Sequence, residues 1–164
     1  MVSVSLRDWL ETGMFGPLQF GMSRAQVQEL LGPPADTSAR PPNRPFRTVW
    51  KYGDVELHFS AEGSLSLVFL DHFVVPSCGG ALVLDPWVVQ GGMARTALEK
   101  QLDESGIGYH RADSPFDDST ARIVAGPCVE LVFIERASLT LLPPVFFPSP
   151  VGIDHNPVLP LYPA

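Results

Sequence analysis

With 164 residues, 45% of them hydrophobic and 18% charged, the chain has the length and composition of one folded domain. Its formal net charge of -7 argues against nucleic acid as a partner, because binding to phosphates needs an excess of Lys and Arg. The same charge suits a basic protein partner. Arg7, Asp8 and Glu11 interrupt the N-terminal stretch, and no later stretch is apolar over a bilayer's thickness. Two cysteines without metal-ligand spacing favour a reducing compartment, so we expect a cytoplasmic protein that does not bind a membrane.

Two short helices are predicted near the N-terminus. Ser5 is a suitable N-cap for a first helix, which Gly13 would end. Ser23 has the capping-box spacing to Gln26, and the Gly-Pro pair at 32–33 would end a second helix. Residues 33–47, which follow, contain five prolines and little apolar periodicity, so a long loop is expected there.

Three strands are predicted after this loop, at residues 48–52, 55–60 and 64–70. The two-residue turn Gly53-Asp54 would pair Tyr52 with Val55, and alternation then assigns side chains to two faces of the sheet. The expected core face carries Trp50, Tyr52, Val55, Leu57, Phe59, Leu65, Leu67 and Phe69. The expected open face carries Lys51 opposite Glu56, with His58, Ser60, Ser64 and Ser66.

The second half of the chain resembles the first. Residues 129–133 match 55–59, and residues 138–141 match 64–67, both at an offset of 74. Short strands are expected at 81–84 and 87–89, and a helix follows the weak cap Ala94. We therefore predict an α+β fold of two tandem helix-plus-antiparallel-strand modules, sharing one sheet with helices on one side. The whole chain, 1–164, would be one domain, with module one at about 15–72, module two at about 81–142, and an extended, proline-rich tail at 143–164.

A run of residues in the first module resembles a known motif. Residues 21–23 (Gly-Met-Ser), Val27, the Leu-Leu-Gly run at 30–32 with Pro34, and the Trp-x-Tyr-Gly run at 50–53 resemble the SmpA/OmlA family of outer-membrane assembly lipoproteins. The tandem arrangement is similar to that of the beta-lactamase inhibitor protein family. The resemblance does not extend to a lipoprotein signal. It implies non-enzymatic protein binding through a sheet face and its loops, and the small acidic chain also resembles bacterial immunity proteins in general character.

The favoured hypothesis is thus a protein-binding module of inhibitor or immunity type. Its expected partner-binding residues are Lys51, Glu56, His58, Glu130 and Val132 on the open sheet face, with Arg40, Arg44 and Arg47 on the long loop. Val132 is expected to be exposed, because apolar groups on an uncovered sheet face invite a partner. No phosphate loop, zinc-ligand pair or nucleophile elbow is present, so no cofactor is expected. Two alternatives stay open: a small metal-dependent or acid–base enzyme using His58, Asp71 and His72, and a small ligand enclosed between the modules.

Overall fold

The computed structural model describes residues 1–39, 48–70, 78–113 and 120–134. Within these ranges the fold is α+β, with three helices and mostly antiparallel strands in three separate sheets. In chain order the elements are β1 (Val2–Ser5), α1 (Leu6–Thr12), α2 (Arg24–Leu31), β2 (Asp36–Ala39), β3 (Thr48–Tyr52), β4 (Val55–Phe59), β5 (Leu65–Leu70), β6 (Leu82–Asp85), α3 (Arg95–Ser105), β7 (Tyr109–Ala112), β8 (Thr120–Ala125) and β9 (Val129–Ile134).

The helix ends follow the capping residues. At α1, the Ser5 side chain accepts a hydrogen bond from the Asp8 N–H, and Gly13 ends the helix in the left-handed conformation. At α2, the Ser23 side chain accepts from the Gln26 N–H, and the Gln26 side chain accepts from the Ser23 N–H. This reciprocal pair is the predicted capping box. By contrast, Ala94 gives α3 no side-chain cap.

The first sheet has the strand order β2-β3-β4-β5, and all its neighbours are antiparallel. The predicted hairpin register is confirmed, since Tyr52 pairs with Val55 and Lys51 with Glu56. The prediction of a loop over residues 33–47 is wrong at 36–39, where β2 pairs with β3 and places Asp36 opposite Lys51. The four residues of β2 have no apolar pattern of their own. Pairing with the backbone of β3 forms this strand, and local sequence does not predict it.

A β-bulge changes which side chains of β5 face the core. The register shifts between His58 and Phe59, so that Leu67 pairs with His58 and Phe69 pairs with Glu56. One extra residue in a strand moves the rest of it to the opposite face. The prediction of Phe69 as a core-face residue is therefore wrong, and Leu67 shares the face of His58 while still packing against the core. The buried residues of β5 are Leu65, Val68 and Leu70.

The second sheet has the order β7-β8-β9, and β1 pairs in parallel with β6 in a third sheet. The described strands of the two halves thus lie in separate sheets, so the single shared sheet is not confirmed. The predicted strand at 87–89 is wrong: a turn occupies it, Trp87 has a φ of 52°, and its N–H donates to Asp85 Oδ1 at 2.9 Å. Local side-chain bonding of this kind favours a turn over a strand.

One hydrophobic cluster joins the helices and the sheets. Val27 and Leu31 of α2 belong to the same cluster as Trp50 and Leu57, so α2 covers the core face of the first sheet. The C-terminal turn of α1 packs against the β8–β9 turn so closely that a Cβ atom on Gly126 would collide with the Leu10 carbonyl oxygen. Glu56 lies on the face of the first sheet opposite to Trp50 and Leu57, and so on the side away from α2. None of the helices in the described ranges is long and apolar enough to cross a membrane.

Candidate functional site

The face of the first sheet that points away from α2 carries two rows of side chains, each crossing all four strands. We call it the outer face. The first row is Asp36, Lys51, Glu56 and Phe69, and the second row is Ser38, Val49, His58 and Leu67. In the first row, β2 to β4 contribute charged side chains and β5 contributes an aromatic one, whereas the second row also contains Val49 on β3. The first row therefore changes from polar to apolar across its width.

A three-residue ionic cluster forms the centre of this face. Lys51 Nζ lies 2.7 Å from Glu56 Oε1, and His58 Nε2 lies 3.1 Å from Glu56 Oε2. The side chains are 40%, 18% and 14% exposed for Lys51, Glu56 and His58, so the lysine reaches solvent furthest. The His58 ring meets Phe69 edge-on, with 6.3 Å between ring centroids. Three of the expected site residues are thus in direct contact.

The cluster stabilises the ionised form of Glu56. The hydrogen bond from His58 is the largest cause, and the hydrogen bond and positive charge of Lys51 act in the same direction. Burial opposes them, but together they lower the pKa of Glu56 to about 2. The carboxylate stays charged at every physiological pH, and both of its oxygens already accept hydrogen bonds.

The second sheet does not present the surface that the sequence predicted. Glu130 is 9% exposed and Val132 only 2%, so the expectation that Val132 is exposed is wrong. Arg122 Nη1 lies 3.2 Å from Glu130 Oε2, and the Arg122 Nε is buried with no hydrogen-bond partner in the described part of the chain. Burial raises the pKa of Glu130, and the nearby Arg122 charge only partly offsets this. Strand pairing alone could not reveal this burial, because it depends on what covers the strand.

Another buried carboxylate has a structural role. Both oxygens of Glu99 on α3 accept hydrogen bonds from the Arg111 guanidinium on β7, at 2.7 and 2.9 Å, and Arg95 adds a third at 3.0 Å. Arg111 is the main cause of the lowered pKa of Glu99. This bidentate pair joins the helix to the second sheet.

Several predicted residues cannot be assigned to either surface. Arg40, Arg44 and Arg47, and also Asp71 and His72 of the alternative enzyme site, lie outside the described residues. Within the described ranges, no group of three or more His, Cys, Asp or Glu residues is placed to hold a metal ion.

Two residues of the outer face were missed from the sequence. Asp36 and Ser38 belong to β2, which the proline-rich composition of its surroundings concealed. Both are exposed and extend the two rows to the edge of the described sheet. The sequence carried no signal for β2, because a strand such as β3 can equally lie at the edge of a sheet with one partner.

Comparison with protein-family models, with curated proteins and with solved structures finds no match for the chain.

Proposed function

We propose that this chain is a non-enzymatic protein-binding module of inhibitor or immunity type, and that it binds a basic protein through the outer face. The observation that carries the proposal is the row Asp36, Lys51, Glu56 and Phe69, which places charged and aromatic groups side by side across four strands. Interfaces combine such groups, with aromatic anchors near the centre and charges that select and orient the partner.

The electrostatics of the cluster suit ion pairing better than proton transfer. A general acid or base works best with a pKa near the working pH, whereas the pKa of Glu56 is lowered to about 2. The His58 Nε2 atom already shares a hydrogen bond with Glu56. These contacts support a binding role for Glu56; of the alternative enzyme site, His58 lies in this cluster, and Asp71 and His72 lie outside the described residues.

The net charge of the chain supports a basic partner. The overall value is -7, and in the first row of the outer face two carboxylates accompany one lysine. An overall excess of negative charge accelerates encounter with a basic protein and disfavours acidic ones.

The order of elements supports a tandem origin for the fold. Each half runs from a helix into antiparallel strands: α2 is followed by β2 to β5, and α3 by β7 to β9 in the described part of the chain. We propose that these are two copies of one module, related to the SmpA/OmlA and beta-lactamase inhibitor protein folds that the sequence resembles. Both cysteines are free thiols, which supports a cytoplasmic location.

Affinity capture with matched charge-reversal variants tests the proposal. Wild type, Asp36→Lys and Glu29→Lys would be immobilised and exposed to lysate of the host organism, and retained proteins identified by mass spectrometry. Asp36 lies on the outer face, whereas Glu29 is exposed on α2, on the helix side of the sheet. Both variants change the net charge equally.

We expect a basic protein that wild type and Glu29→Lys retain and that Asp36→Lys loses. Calorimetry with that purified partner should give an affinity at least about tenfold weaker for Asp36→Lys, the scale expected for a like charge set against a complementary surface. Equal affinity for all three proteins would contradict the proposal, and so would an acidic partner.

A further inference from the structure

We infer that the outer face recognises an amphipathic basic segment of its partner, with a cationic side chain over Asp36 and an apolar side chain against Phe69. This inference rests on the proposed function and specifies the chemistry of the partner. It follows from the arrangement of the first row, in which the exposed carboxylate and the aromatic ring occupy opposite ends.

Asp36 is the carboxylate of this row best placed to receive a cation. It is exposed on β2, and its Oδ1 accepts a hydrogen bond from the Thr37 N–H at 2.7 Å, which holds the side chain in place. Lys51, its neighbour across the strands, lies 2.7 Å from Glu56, so the Glu56 carboxylate is already paired within the row. A cation from a partner would therefore find the negative charge of the row at the β2 edge.

Phe69 supplies the apolar contact. The bulge in β5 places it on the outer face, where it is only partly buried and forms a T-shaped contact with the His58 ring. The middle of the second row presents little apolar surface to a partner, since Val49 is only 3% exposed. Aromatic residues, Phe among them, are enriched at protein interfaces relative to the rest of the surface.

The width of the sheet sets the spacing of the two contacts. Asp36 and Phe69 are three strand spacings apart, or about 14 Å at about 4.8 Å per strand. An extended segment rises about 3.3 Å per residue, so its Lys or Arg and its apolar residue should be about four positions apart. In a helix, at about 1.5 Å and about 100° per residue, about eleven positions is the separation nearest 14 Å that keeps both side chains on one face.

A random-peptide display library, selected on the immobilised full chain at low salt, tests this inference. Enriched peptides should carry a Lys or Arg and a large apolar residue at one of the two spacings. Fluorescence polarisation of a synthesised peptide then compares wild type with Asp36→Lys and Phe69→Ala. The matched controls are Glu29→Lys and Leu30→Ala, both at exposed positions of α2. Thermal melts would establish that every variant is folded.

We expect Asp36→Lys to weaken binding at least tenfold and to reduce its salt dependence, because it removes the charge contact. Phe69→Ala should weaken binding at least tenfold at low and high salt alike, because it removes an apolar one. Both controls should stay within twofold of wild type. Full binding to Phe69→Ala, or no enriched peptide at all, would overturn the inference.

The outcomes separate this inference from the proposed function. Peptides that Asp36→Lys no longer binds, but that lack the basic and apolar pattern, would overturn the inference and leave the outer face as the binding surface. Peptides whose binding no outer-face substitution alters would overturn both.

Discussion

Replacing Glu56 with Gln should change how stability depends on pH. The pKa of this carboxyl falls from its ordinary value of 4.5 to about 2 on folding, so the folded state binds fewer protons than the unfolded state in that range. The stability that ionised Glu56 contributes to the folded state is therefore fully present above about pH 5, and it is lost as the pH falls through the folded-state pKa. At about 1.4 kcal/mol per pKa unit it is at most about 3 kcal/mol. The side chain is still 18% exposed, so solvent screening leaves about 2 kcal/mol.

Urea unfolding of wild type and Glu56→Gln at several pH values measures this contribution. The advantage of the wild type at neutral pH should shrink by about half near pH 3 and nearly vanish near pH 2, since protonated Glu56 and Gln are similar neutral groups. The difference between the two proteins cancels the titration of all other carboxyls. If the two stability profiles ran parallel within about 0.5 kcal/mol, the ionic cluster would have no energetic role.

Glu130 provides a control of opposite sign. Burial raises its pKa, so the folded state binds more protons than the unfolded one in the range above 4.5. Relative to Glu130→Gln, the wild type should therefore lose stability as the pH rises through that range. A wild-type advantage that grew with pH instead would show that Arg122 outweighs burial at this carboxyl.

Three further predictions concern packing, and urea unfolding checks each. Phe59 is 1% exposed, so Phe59→Ala should lower the free energy of unfolding by about 3–5 kcal/mol. A decrease below about 1 kcal/mol would contradict its core position. Gly126→Ala should cost at least about 2 kcal/mol more than Gly106→Ala. Both glycines have a positive φ, but a Cβ atom meets backbone only at Gly126, so equal losses would disprove that close approach. Val132→Asp should destabilise the fold by several kcal/mol, whereas Val83→Asp, at a position 45% exposed, should not.

Short-range features were predictable from the sequence because the groups that determine them are neighbours along the chain. The reciprocal bonds of Ser23 and Gln26 span three residues, and the turn at Gly53 and Asp54 sets the register of the whole hairpin. From that register followed the contact between Lys51 and Glu56, which forms half of the ionic cluster. The sequence by itself thus determined the helix ends, the β3–β4 hairpin and the centre of the candidate site.

Only the tertiary structure decided the features that depend on distant partners. β2 exists because β3 supplies its hydrogen bonds, and it brings Asp36 to the outer face. The bulge in β5 turns Phe69 to that face, although simple alternation from Leu65 assigned it to the core. Glu56 and Glu130 occupy matching positions in the repeat, yet the pKa falls at the first and rises at the second. The sequence accounts for part of this difference, since Val132 stands where the first module has His58, and Val124 pairs with Glu130 where Lys51 pairs with Glu56. The covering of the second sheet and the approach of Arg122 to Glu130 depend on packing between elements, which local periodicity does not encode.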